Sequence, residues 1–91
     1  MYVYILRCSD GSYYIGHTAD LAARERTHYE GRGARFTASR RPVTIVYAEQ
    51  WPSAAAAIDR GGQLKRWGAA KKQALVESRT RALKELAKRR T

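Results

Sequence analysis

A chain of 91 residues has room for one domain with a modest core, because a body this small buries only part of its unfolded surface, so a second catalytic domain is not expected. Eighteen Lys and Arg against eight Asp and Glu give a net charge of +10, a field that favours a polyanionic partner, nucleic acid ahead of anionic lipid. The single cysteine, Cys8, excludes an internal disulfide, the opening residues do not read as a signal peptide, and no apolar run approaches the roughly 18 residues needed to span a bilayer, so a cytoplasmic protein that does not enter membranes is expected.

Residues 2–7 and 12–17 are rich in Tyr, Val and Ile and flank Cys8-Ser9-Asp10-Gly11, which reads as an antiparallel hairpin around an Asp-Gly turn. Thr18-Ala19-Asp20 offers an N-cap for a short helix over Leu21 to Tyr29, which Gly31 should stop. The segment from Gly31 to Pro42 carries Arg32, Arg35, Arg40 and Arg41 with no clean period, and reads as an exposed basic loop able to grip phosphates. Val43 to Glu49 is β-branched and aromatic, a third strand. Pro52-Ser53 opens an alanine-rich helix expected to reach Trp67, with Gly68 as its end.

From Ala69 to about Arg89, Ala74, Leu75, Ala82, Leu83, Leu86 and Ala87 recur at helical spacing, with Lys71, Lys72, Arg79, Arg81, Lys84 and Lys88 outward. This predicts a basic amphipathic helix with an interruption near Ser78. The whole reads as an α+β domain over residues 1–91, a small three-stranded antiparallel sheet flanked by helices in the order β-β-α-β-α-α. Trp51 and Trp67 are expected to pack in the core rather than stack on bases.

Tyr2-Val3-Tyr4 and Tyr14-Ile15-Gly16 resemble the paired tripeptides of the GIY-YIG nucleases, at a spacing that a hairpin makes adjacent. Arg24 follows Tyr14 by ten residues and His28 comes one turn later, which resembles the second motif of that superfamily. Gly31-Arg-Gly-Ala-Arg-Phe-Thr37, Arg40-Arg-Pro-Val43, Gln63-Leu-Lys-Arg-Trp67 and Ala70-Lys-Lys-Gln-Ala-Leu75 resemble its small stand-alone branch, the UPF0213 proteins. The likeness spans residues 2–76. Tyr2 stands where the first tripeptide has glycine.

The resemblance implies endonucleolytic hydrolysis of DNA with one divalent ion, Mg²⁺ or Mn²⁺. Such a reaction needs an activated water, a cation for the charge that develops on phosphorus and a proton donor for the leaving oxygen. By resemblance, Tyr4 and Tyr14 take the water-activating and phosphate-orienting roles. Arg24 and His28, four apart on one helix, would share one helical face and address one phosphate together. His17 is a weaker third donor, and Arg32, Arg35, Arg40, Arg41, Lys65 and Arg66 complete the expected nucleic-acid surface.

The family places a metal-binding glutamate in a stretch resembling Arg-Arg-Glu-Lys-Gln-Leu-Lys, and the corresponding residues here are Asp59-Arg60-Gly61-Gly62-Gln63-Leu64-Lys65. Gly61 therefore stands at the ligand position, on the helical face of Ala57 and Leu64, where it should point inward. Two adjacent glycines inside a helix cost about 2 kcal/mol relative to alanines, so the site conflicts with its own local structure. Three readings stay open: a nuclease disabled by Gly61, a binding module on a nuclease fold, and a domain whose basic terminal helix docks a protein. Rescue of the metal by Asp59 or Glu49 is a further alternative.

Overall fold

The computed structural model describes the backbone of residues 1–89 and the side chains through residue 79. Strands β1 (Tyr2–Arg7) and β2 (Tyr13–Thr18) are followed by helices α1 (Leu21–Tyr29) and α2 (Arg35–Ala38), strand β3 (Thr44–Gln50) and helices α3 (Ala54–Lys65) and α4 (Ala69–Arg89). The three strands form one antiparallel sheet in the order β2-β1-β3. This is the expected α+β architecture with one added turn of helix, α2, inside the segment expected to be a loop.

β1 is central, which explains why Val3, Tyr4, Ile5 and Leu6 are all buried although adjacent side chains point to opposite faces. Val3, Ile5 and Ile15 pack with Ala57 and Leu64 of α3, and Trp51, Trp67, Leu75 and Val76 close this first core from α3, α4 and their approaches. Both tryptophans thus pack as expected. Tyr4, Leu6, Cys8 and Val43 form a second core on the opposite face, flanked by Tyr14, Leu21 and Ile45. The register of β1 against β3 shifts between Ile5 and Leu6, so Ile5 faces Tyr47 while Leu6 faces Ile45.

Local signals set most element ends. Asp20 caps α1 by accepting from the Ala23 N–H, and Ser53 caps α3 by accepting from the Ala56 N–H. The Asp10 carboxylate accepts from both the backbone and the hydroxyl of Ser12, closing the hairpin turn. α3 ends at Lys65, two residues short of Trp67, and α4 runs through Ser78 without a break. The Ser78 hydroxyl donates to the Leu75 carbonyl, a back-bond that a helix accommodates. In α4, Leu75 and Val76 face the core whereas Ala74 is exposed. Arg81, Ala82, Leu83, Lys84, Leu86, Ala87 and Lys88, expected on the two faces of this helix, lie outside the described side chains.

Candidate functional site

Tyr4 on β1 lies opposite Gly16 on β2, and its phenol ring occupies the space where a Cβ at position 16 would be. Only glycine allows the ring to lie across the neighbouring strand, which gives the third residue of Tyr14-Ile15-Gly16 a steric purpose. The phenol oxygen then reaches Nε2 of His28 at 2.9 Å. His28 is only 1% exposed, although Arg24, one turn earlier on α1, stands in solvent.

The other ring nitrogen of His28, Nδ1, lies 2.8 Å from the hydroxyl of Thr37 on α2. That hydroxyl is fully buried and also lies 3.0 Å from the Ala34 carbonyl. Gly33 passes so close to the imidazole that a Cβ there would enter the ring. Tyr14 packs on His28 with centroids 5.4 Å apart and stacks on Phe36 at 6.2 Å, while Arg40 places its guanidinium 3.8 Å over the Phe36 ring. Beside this group a cleft of about 250 Å³ opens along β2, lined by Tyr13, Tyr14, Ile15, Phe36, Lys65 and Lys72.

Burial, together with the nearby Tyr14, pushes the Tyr4 phenol up to about 12, against a lowering by Arg24. Burial, and secondarily Arg24, pulls the His28 imidazole below its ordinary value. Both shifts favour one resting state, a neutral phenol beside a neutral imidazole. His28 therefore has no free N–H for a phosphate, and the expected Arg24–His28 clamp is replaced by an exposed guanidinium above a buried histidine.

The other expected cations are scattered. His17 pairs with Val3 across the hairpin, so by alternation it sits on the sheet face opposite Tyr4 and Tyr14. Arg32 pairs with Glu30, Arg40 with Asp10, and Arg41 donates to the Ala38 and Tyr29 carbonyls. Such exposed pairs are worth about 0–1 kcal/mol, so they do not bar these arginines from a phosphate. Arg35 and Lys65 are exposed, and Lys65 lines the β2 cleft. Arg66 lines a separate groove with Trp51, Asp59, Arg60 and Gln63. Thr37, Gly33 and Phe36 belong to the site but carried no role in the sequence, where they stood only within a basic loop and the stretch over residues 31–37 that resembles the UPF0213 branch.

The residues present do not fit a divalent ion at the position where the family resemblance would put one. Gly61 is buried with Ala57 and Leu64, as expected, and faces Ile15 without a ligand atom. Both carboxylate oxygens of Glu49 are taken: Oε1 accepts from Trp51 and Arg60 at 2.9 Å, and Oε2 accepts from Tyr47 and Arg60. Burial alone would raise this carboxyl, but hydrogen bonds from Arg60, Tyr47 and Trp51 hold it below its ordinary value. Asp59 is exposed in the Arg66 groove, and Glu25 accepts from the Ile45 N–H. Among the described residues no group of three or more His, Cys, Asp or Glu could hold a metal ion.

Residues 1–74 match the GIY-YIG catalytic domain family. A UPF0213 protein of Streptococcus sanguinis is 42% identical over 79 residues, covering 87% of this chain and 91% of its own. One of Staphylococcus haemolyticus is 41% identical over 78 residues, covering 86% and 95%. The solution NMR structure of a UPF0213 protein from Bacillus halodurans is similar with a TM-score of 0.53 and 39% identity, over 84% of this chain and 81% of that one.

Proposed function

The chain belongs to the GIY-YIG catalytic domain family, and on that premise we propose that it is a DNA endonuclease domain whose cutting is disabled at Gly61 while its proton-transfer pair remains assembled. The observation that carries this reading is the buried Tyr4–His28 hydrogen bond. For Tyr4 to take a proton from an attacking water, its own proton must pass to Nε2 of His28, leaving an imidazolium held by Thr37. With the phenol pushed up to about 12 and the imidazole pulled down, that transfer is uphill unless a cation lies close to the phenol oxygen. This chain offers Arg24 for that purpose and, with glycine at position 61, no carboxylate to hold a second charge. DNA would run along the β2 cleft, with Lys65, Lys72 and the arginines around α2 as its phosphate contacts.

The test is cleavage of labelled single-stranded, duplex and branched DNA with Mg²⁺ or Mn²⁺, comparing this chain with Gly61→Glu. A Cβ at position 61 meets only Ile15 Cγ2 at 3.9 Å, ordinary contact, so the substitution starts without a clash. Divalent-dependent cutting is expected in Gly61→Glu and far less in the parent chain. A folded Gly61→Glu protein inert on all three substrates overturns the nuclease reading. Glycine at position 61 makes binding without cleavage the second reading, on a chain whose charge of +10 suits nucleic acid. Binding of that kind should weaken roughly tenfold or more between 50 and 200 mM salt if several phosphates are contacted.

A further inference from the structure

The Tyr4–His28 pair works as a relay only if Nε2 of His28 is a bare lone pair, and nothing in either residue alone enforces this. A neutral imidazole carries one proton, on Nδ1 or on Nε2, and the partners decide which. The three protons of the cluster can be placed in two ways. If Nδ1–H donates to Thr37, the Thr37 hydroxyl donates to the Ala34 carbonyl and the Tyr4 hydroxyl donates to Nε2, so each proton has an acceptor. If instead Thr37 donates to Nδ1 and Nε2–H donates to Tyr4, the phenol proton has no acceptor among the described residues, on a side chain only 2% exposed. Leaving a buried donor unpaired costs about 1–3 kcal/mol, which decides for the first arrangement.

We infer that Thr37 is a positioning residue that holds His28 as the Nδ1–H tautomer and so aims a proton-accepting Nε2 at Tyr4. The inference rests on the reading of Tyr4 and His28 as the proton-transfer pair. It also gives α2 a purpose. This single turn has no side-chain cap, and it carries the fully buried Thr37 hydroxyl back over the ring. Gly33 lets the preceding loop close on the imidazole, where any side chain would collide with the ring. The segment between α1 and β3 is then a cradle for one histidine, and its arginines surround that cradle.

The test reads the tautomer directly, by long-range proton–nitrogen correlation of the histidine rings in nitrogen-15-labelled protein at neutral pH. The chain has two histidines, so a His17→Asn variant identifies the His28 signals. The expected result is a protonated Nδ1 and a bare Nε2 in the parent chain and in Thr37→Ser, and loss of the Nδ1–H majority in Thr37→Val. A protonated Nε2 in the parent chain, or an unchanged Nδ1–H population in folded Thr37→Val, overturns the inference. If Thr37→Val does not fold, the parent chain and Thr37→Ser decide alone. In a Gly61→Glu background that cuts, Thr37→Val should lower kcat about tenfold to a hundredfold, the range for losing a group that orients a functional imidazole, with DNA affinity unchanged and rescue by serine. A Gly61→Glu protein that never cuts would remove the nuclease reading and leave the ring measurement to judge Thr37.

Discussion

The two faces of this small sheet have kept different things. On the α1 and α2 face, three polar side chains that are costly to bury, Tyr4, His28 and Thr37, sit in a closed chain of hydrogen bonds, and two glycines give way to their rings. On the α3 face, the buried position that faces β2 is a glycine beside a second glycine, inside a helix that would be more stable without either. The carboxylate on that face, Glu49, is bound by Arg60, Tyr47 and Trp51. One face thus buries polar groups in a fixed geometry, whereas the other carries glycine at the position where the family resemblance would put a glutamate.

The largest effect expected from breaking this division is kinetic. Once Gly61→Glu cuts DNA, adding Tyr4→Phe should lower the rate by about 10²–10⁴, the range for removing a proton-transfer group, while the fold and DNA binding persist. Single-turnover cleavage by the double variant measures it. An undiminished rate would move the base elsewhere and reduce Tyr4 to a packed strand aromatic. The next effect is a matched pair of opposite sign. Gly16→Ala drives a methyl into the Tyr4 ring and should destabilise by about 1–3 kcal/mol. Gly62→Ala meets only the tip of Arg66 at 4.0 Å and should stabilise by about 1 kcal/mol. Urea unfolding of both variants decides it, and two changes of the same sign would erase the distinction between the faces.

Much of this was legible because its signals are local. Asp20 and Ser53 announced the two helix starts, the Asp-Gly turn announced the hairpin, and Gly61 fell on the inward face of α3 by counting alone. The misreadings arose where distance in sequence hides contact in space. Arg24 and His28 share a helical spacing, but spacing gives direction and not depth, and one is exposed while the other is buried. Helix α2 has no side-chain cap, and Thr37, its buried residue, is held by a partner nine residues earlier, so local propensity alone gives only a basic loop. The Glu49–Arg60 pair crosses from β3 to α3, which is why Glu49 looked available to a metal. Tyr4 and Tyr14 stood out through the family resemblance, since a tyrosine on a strand is ordinarily packing.

The smallest expected effect separates the faces by pH. His28 has its folded pKa lowered, by burial first and by Arg24 second, with Tyr4, Tyr14 and Thr37 as its other neighbours. The unfolded chain therefore binds a proton at His28 before the folded one does, as pH falls through the ordinary histidine value of about 6.5. Stability from this group is fully present above that pH and declines as pH falls toward the folded value. Glu49 on the other face is lowered as well, but from the carboxylate range, so it stays ionised throughout this window and down to more acid conditions. Between about pH 7.5 and 5.5 His28 on the tyrosine face should make stability fall. Urea midpoints across that interval should fall in the parent chain and in His17→Gln, and fall less in His28→Gln, whose overall stability is lower but whose slope is flatter. Equal slopes in all three proteins would mean that burial does not lower His28 in the folded chain.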